Sequence, residues 1–490
     1  MDSGVQELIT FTRKAANVCS YCRIRKQKCD RTLPRCNRCA GSNRNCDYTP
    51  HKAPQRVCDE SDPLVSCHES CSQTDSSSRG MIKLLQRISA CTNPFAPSEL
   101  DTIRLWNTVQ GILDLAGFDL SLALKEFGMC IHQWCPVLDE NMLENGENDL
   151  SEQAERQPLF ALCMWLLMQR PCIHQKSMST TELYRTMKHI HVILQMDIEM
   201  RVEAIQVGML IAAYEVSHGL RTQAHFTVSS CAIMLQILDC ETSPVHIGKQ
   251  SRMLKQLKSS LLRLDRVNHL MACPHYLQLV ISPEHPIPTS LAKGLGPMPP
   301  TVRSSPRTIF FRTLVSIASG RVSAYIHARS HDLSPDEPYE SVNKAIHDII
   351  SMLDGGPPPN TWLHCASYPT LVCSHILLQV TEHQFYITQN ISGPSLPFIA
   401  AALHASRIMA WKMLCVAIDA IQVESDILQV PFAALCAVLR GAIVVLETRN
   451  GGEDIVAEKD LKGLWRLMTW FAGRWDIGKE YLIRVEQLTR

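Results

Sequence analysis

The sequence predicts three parts in order: a small metal-stabilised unit near the N-terminus, a disordered linker, and a large all-α region that fills the rest of the chain. Three observations carry this reading. Six cysteines fall within residues 19–46 in a duplicated spacing, residues 51–80 are rich in serine, proline and acid, and apolar residues beyond position 95 recur at helical intervals. At 490 residues the chain exceeds one ordinary domain of about 100 to 200 residues. With 46% hydrophobic and 20% charged residues, most of it should fold.

The six-cysteine segment reads CSYCRIRKQKCDRTLPRCNRCAGSNRNC from Cys19 to Cys46, which is C-x2-C-x6-C written twice. A C-x2-C pair sets two thiolates on one tight turn, where both can reach a single tetrahedral zinc, and a following helical turn returns the third sulfur. Each half therefore supplies three ligands. Two zinc ions ask for eight bonds, yet the segment holds six sulfurs and no histidine, so two cysteines must bridge. By the pseudo-symmetry of the halves, the first cysteine of each, Cys19 and Cys36, forms the natural bridging pair. Cys22 and Cys29 then complete one site, and Cys39 and Cys46 the other. A disulfide knot is disfavoured, because no apolar segment follows the first residues and the compartment should be reducing. The other fifteen cysteines are expected to behave as small buried hydrophobes.

The chain carries 48 basic and 48 acidic residues, a formal charge of zero, so its overall balance says nothing about partners. The distribution says more. From Phe11 to Pro50 ten basic residues face only Asp30 and Asp47, a local charge of plus eight that the remaining chain offsets. Such asymmetry marks one polyanion-binding element, since Lys and Arg displace counterions from phosphate. Four of the six residues between Cys22 and Cys29 are basic: Arg23, Arg25, Lys26 and Lys28. The matching stretch of the second half, Ala40 to Asn45, has only Arg44. The first half should face DNA while the second buttresses it. Lys26, at a helix start, is the expected reader of guanine, a contact worth roughly 1 to 3 kcal/mol of base discrimination. Arg23, Lys28, Arg31, Arg35 and Arg38 are expected at phosphates, where they position and do not specify. Pro34 fixes the loop that joins the halves.

These residues resemble the fungal Zn(2)-C6 binuclear zinc cluster family of transcription factors, with spacings that match at all six ligands. The resemblance implies two Zn2+ per chain with the first and fourth cysteines bridging, and base contacts from Arg25 and Lys26 within a CGG-like half-site. It further implies a regulator of RNA polymerase II transcription acting in the nucleus on double-stranded DNA, with control of a secondary-metabolite gene cluster as a plausible role. The stretch AYEVSHGLRTQAHFTVSSCAIMLQIL, Ala213 to Leu238, resembles a helix pair in the regulatory region of these factors. LLRLDRVNHL, Leu261 to Leu270, resembles the helix that follows.

The resulting domain reading is a disordered N-terminus over 1–16, the cluster over 17–50, a disordered linker over 51–80, a short helix over 81–95 and an all-α regulatory region over 96–490. The linker holds seven serines and no apolar periodicity. Its Cys58, Cys67, His68 and Cys71 have no zinc-ligand spacing. Met81, Ile82, Leu84, Leu85 and Ile88 make about two helical turns before Asn93-Pro94, short of the three heptads a coiled coil needs. Monomeric binding and a homodimer formed through the C-terminal region both stay open.

Beyond that point the periodicity predicts helices over 102–115, 159–169, 181–195, 202–216, 226–238, 253–270, 308–326, 342–353, 371–387, 400–421, 432–446 and 461–471. This region is read as regulatory, through a small ligand, a co-regulator or a second subunit, against the plain alternative of a scaffold. Cys130 with His132, Cys172 with His174, and His189 with His191 are read as packing. No run of about 18 uncharged apolar residues occurs, so no membrane span is expected. No phosphate loop, nucleophile elbow, H-E-x-x-H or dinucleotide fingerprint is present, so no enzyme is indicated. The competing class, a zinc-stabilised co-regulator that acts through protein contacts without reading bases, leaves the four basic residues between Cys22 and Cys29 unexplained.

Overall fold

The computed structural model describes residues 107–137, 158–171, 178–196, 201–241, 249–270, 278–296, 305–354, 366–390, 395–449 and 455–489, save 115–116, together with most of 18–46. The expectations for 1–16, the linker, the short helix over 81–95 and the Cys172–His174 pair lie outside the described residues. The chain separates into two units, residues 1–73 and 74–490.

In the first unit one short helix, α1, spans Asn37–Gly41. The second unit is helical throughout, with no strand among its described residues. Its elements are α2 (107–114), α3 (Leu120–Phe127), a π-helical turn (Gly128–His132), α4 (Pro158–Met168), a 3-10 turn (Met178–Thr180), α5 (Glu182–Leu194), α6 (Arg201–Ser217) and α7 (Arg221–Glu241). There follow α8 (Lys249–Leu270), α9 (Pro286–Lys293), α10 (Ser305–Ser330), α11 (Tyr339–Asp354), α12 (Ser367–Thr388) and α13 (Ser395–Ala420). A 3-10 turn (Glu424–Gln429), α14 (Phe432–Glu447), α15 (Glu458–Arg474) and α16 (Ile477–Thr489) complete it.

Two helices organise this array. α6 packs against α4, α5, α7 and α8, while α12 packs against α8, α10, α11, α13 and α14. α8 therefore joins both neighbourhoods, and one continuous apolar core runs from Val109 to Val485. α6 is buried at every position from Ala204 to Ser217, and α14 from Phe432 to Leu446. A helix enclosed on all sides needs apolar residues all round, and both sequences supply them. Where the buried stretch of α6 carries an acid, Glu215, it has three partners. Tyr184 Oη donates to it at 2.7 Å, Thr227 Oγ1 at 2.6 Å, and Lys188 Nζ lies at 3.0 Å, which ties α5, α6 and α7 together.

Local chemistry sets the boundaries. Thr181 caps α5 by accepting from the Tyr184 amide at 3.3 Å. α6 ends at Gly219 with φ of 71°, where the Leu220 amide returns to the Glu215 carbonyl at 2.8 Å. That left-handed turn favours glycine. Gly208 serves another need: a Cβ there would lie 2.4 Å from His191 Nε2 and 2.6 Å from Cys231 Sγ, so its absence lets α6 approach α5 and α7.

Each helix predicted beyond position 95 overlaps an observed one. The periodicity did not indicate α3, the π-helical turn, α9, the Glu424–Gln429 turn or α16. α9 opens on Pro286-Ile287-Pro288; a proline at the first helical position is compatible with a helix, and His285 Nδ1 caps the Ile287 amide at 3.2 Å. Leu396–Ala420 is long and apolar enough to cross a bilayer by length and composition, even though it contains Arg407 and Lys412. In the fold this helix, α13, packs on α12, α14 and α15.

Buried thiols and imidazoles behave as packing groups. Cys130, Cys135, Cys163, Cys231, Cys373 and Cys436 are buried, whereas Cys240 is exposed and Cys415 half-buried. Cys130 Sγ donates to the Leu428 carbonyl. His132 and His191 are both buried, and burial lowers their pKa values to about 3 and about 4.

Candidate metal centre and nucleic-acid interface

The N-terminal unit has sulfur where other domains have hydrocarbon. Cys19, Cys22, Cys36 and Cys39 are its only buried positions among the described residues, with Tyr21, Cys29 and Cys46 packed against them. The four buried sulfurs lie within 4.8 Å of one another, and Cys29 Sγ comes equally close to Cys36 Sγ. Cys19 Sγ stands 3.8 Å from each of the Cys36, Cys39 and Cys29 sulfurs, and Cys22 Sγ is 3.9 Å from Cys36 Sγ. A tetrahedron with Zn–S bonds of about 2.3 Å has edges of about 3.8 Å, so these separations fit thiolates around zinc.

Each of the four separations of 3.8 to 3.9 Å includes Cys19 or Cys36, while Cys22 and Cys39 also lie within 4.8 Å of each other. Cys46 joins the same corner, with the Cys36 amide donating to its sulfur at 3.3 Å. Such crowding is unfavourable for bare thiolates. Burial pushes Cys39 up to about 12 and raises Cys19 and Cys22 as well. Cys29 goes the other way, lowered by donated backbone and side-chain hydrogen bonds that outweigh its burial; a metal needs all its thiol donors ionised.

The backbone repeats with an offset of 17 residues. The Cys39 amide donates to Cys36 Sγ at 3.4 Å, and the Cys22 amide does the same to Cys19. Likewise Arg25 N donates to the Tyr21 carbonyl at 3.3 Å, matching Ser42 N to the Arg38 carbonyl at 3.2 Å. Each C-x2-C therefore opens a helical turn whose first amides point at a sulfur. Between the halves, Asp30 accepts from Thr32 Oγ1 at 2.7 Å and from the Asn37 amide at 3.2 Å. The Thr32 bond and the backbone amides hold its pKa below the usual carboxylate range. Arg31 beside it adopts φ of 64°. The spacing of the cysteines gave no sign of this acidic tie.

The basic residues lie on the outside. Arg25, Lys28, Arg31, Arg35 and Arg38 are all exposed, and the Arg25 guanidinium sits 5.4 Å from the centre of the Tyr21 ring. Arg23 and Lys26, expected at the DNA, lie outside the described residues, as does Pro34. Sulfur inside and cations outside is the arrangement a small unit needs to meet phosphate while keeping a doubly anionic core out of reach.

Residues 17–55 match the model of the fungal Zn(2)-Cys(6) binuclear cluster domain, a domain that binds two zinc ions. A depudecin biosynthesis cluster-specific transcription activator from Fusarium langsethiae is 53% identical over 36 residues. That match takes in 7% of this chain and 6% of the activator's length. No solved structure matches.

Proposed function

From the premise that residues 17–55 are a fungal Zn(2)-Cys(6) binuclear cluster domain, we propose that the chain is a sequence-specific, DNA-binding transcription factor of the nucleus. Its zinc-organised unit reads a CGG-like half-site in double-stranded DNA. The observation that carries the ligand assignment is that each of the four sulfur separations of 3.8 to 3.9 Å includes Cys19 or Cys36. These two bridge. Cys22 and Cys29 complete one site, and Cys39 and Cys46 complete the other.

Bound zinc supplies the folding free energy that a unit of about 30 residues cannot draw from apolar burial. The protein's own residues do the rest. The helical turn after Cys22 carries Lys26 and Arg25 to base edges in the major groove. Tyr21 backs the Arg25 guanidinium at 5.4 Å, which limits its rotamers before DNA arrives. Arg23, Lys28, Arg31, Arg35 and Arg38 set register on phosphates. The helical unit modulates the factor, and the likeness to a cluster-specific activator supports control of a biosynthetic gene cluster.

The test is a titration of the full chain against a CGG-containing duplex and a scrambled duplex of equal length by fluorescence anisotropy. Preferential binding to the CGG probe, lost on chelation and restored by zinc, is expected. Equal affinity for both probes, or preference that survives chelation, refutes the reading.

A further inference from the structure

Exposed large apolar side chains gather on two adjoining helices of the helical unit. α7 carries Phe226, Ile233 and Ile237, which are 67, 58 and 43% exposed, and α5 carries Val192 and Met196. Among the described residues no other helix carries more than one. The two helices are tied where they meet: Lys188 Nζ donates to Thr227 Oγ1 at 2.6 Å, and the side chains of His191 and Cys231 both lie against Gly208. On α7 the three residues fall within about 40° of one line and span about 17 Å of it. Single exposed apolar residues are ordinary, but such a row marks a contact surface.

Charge is missing from this row. From Thr222 to Leu238 the helix has no Asp, Glu, Lys or Arg, although the outward side of a surface helix ordinarily carries them. Charge returns only at its two ends, where Arg221 pairs with Glu480, and Lys258 reaches Asp239 at 2.7 Å. An apolar middle bounded by a polar rim is the composition of a protein interface. Together the five side chains expose the equivalent of about three whole ones, about 500 Å2. The apolar share of a standard interface is about 450 Å2 per partner, so the row matches what a stable pair of chains buries.

We propose that this face joins two copies of the chain across a two-fold axis, with α7 antiparallel to its counterpart. The row complements itself. Ser229 and Ser230, both half-buried, leave a gap between Phe226 and Ile233. An axis passing midway between Ser230 and Ile233 seats each Ile233 over the serine gap of the other copy and sets Phe226 against the partner's Ile237. A face without charge also meets its own copy without repulsion. Residues 81–88 fall short of a coiled coil, so a contact that pairs two chains has to come from the helical unit. The choice of a second copy over a different protein rests on the DNA-binding reading: two base readers on one chain give only the low end of the discrimination specific factors reach, and pairing doubles them.

The test is analytical ultracentrifugation of the zinc-loaded full chain without DNA, with reductant present so that exposed Cys240 forms no disulfide. The parent is expected to sediment with the mass of two chains and a dissociation constant below about 10 µM. Ile233→Glu puts a charge into the interface twice, once from each copy, and should weaken pairing about a hundredfold or more. Phe226→Ser adds no charge and should weaken it about tenfold. Phe398→Glu, at an exposed position of α13, should leave pairing unchanged. All three side chains face water in the single chain, and circular dichroism of each variant checks its helices. A parent that sediments as one chain up to about 50 µM, pairing that survives both α7 substitutions, or equal loss with Phe398→Glu overturns the proposal. Preference for the CGG duplex is measured separately on the same preparations. A single-chain parent that still prefers CGG defeats only this interface, and a paired parent without that preference defeats only the DNA reading.

Discussion

Replacing Cys36 by serine tests the shared-vertex arrangement directly. Its sulfur stands 3.8 Å from Cys19 and 3.9 Å from Cys22, lies within 4.8 Å of Cys29 and Cys39, and receives the Cys39 amide. Cys46 is half-exposed and belongs to one corner only. With four cysteines as the unit's only buried described positions, apolar burial offers a few kcal/mol at most. Ordering about 30 backbone residues opposes folding by tens of kcal/mol, and each structural zinc supplies about 10 to 16 kcal/mol. Cys36→Ser removes a ligand from both sites, so the unit should lose both ions and unfold. Cys46→Ser should keep one. Metal analysis of the purified full-length variants therefore gives two zincs per chain for the parent, none for Cys36→Ser and one for Cys46→Ser. The affinity for the CGG duplex, read by anisotropy, should fall at least about a thousandfold for Cys36→Ser, to non-specific binding. Two zincs retained by Cys36→Ser, or equal metal loss in the two variants, refutes the sharing.

Lys26→Ala should weaken CGG binding by about 1 to 3 kcal/mol while zinc content stays at the parent value; an unchanged dissociation constant rejects its role as base reader. Gly208→Ala should destabilise the helical unit by about 1 to 3 kcal/mol in thermal or urea unfolding, because the added methyl meets His191 and Cys231 at 2.4 and 2.6 Å and this overpacking outweighs the roughly 1 kcal/mol gained in helix propensity. A rise in melting temperature contradicts that close approach. Glu203, at the start of α6, has its pKa raised by burial to about 7. Its neutral form is the one the fold accommodates, so its contribution is complete below about pH 4.5 and is lost as pH rises through 7. Because it is partly exposed, the loss should amount to about 1 to 3 kcal/mol. Glu203→Gln should match the parent at pH 4.5 and exceed it at pH 8, and parallel stability profiles would disprove the assignment.

How much of this was legible in the sequence follows from what each element depends on. α14 is predicted over 432–446 and observed as Phe432–Glu447, because a buried helix announces itself by apolar residues on every face. α7 starts at Arg221 and not at Phe226, since polar first turns carry no periodic signal. α16 went unseen for a similar reason: its buried residues, Ile477, Gly478, Tyr481 and Val485, are interleaved with charge. In the N-terminal unit the convergence of sulfurs was legible from two identical spacings, which depend only on local turns. Asp30 reaching the Asn37 amide was not, because it rests on a chain reversal that no spacing encodes, whereas Tyr21 beside Arg25 is a pair four residues apart on one helical turn.

The offset of 17 residues that superimposes one half of the N-terminal unit on the other covers sulfurs and backbone bonds but stops at the charges. Geometry is thus written in both halves and chemistry of contact in one. Residues 23–28 lie in sequence between Cys22 and Cys29, and none of the six is itself a sulfur donor. If the proposed DNA reading holds, the sulfur spacing leaves those six positions free to change while the ligands stay where they are.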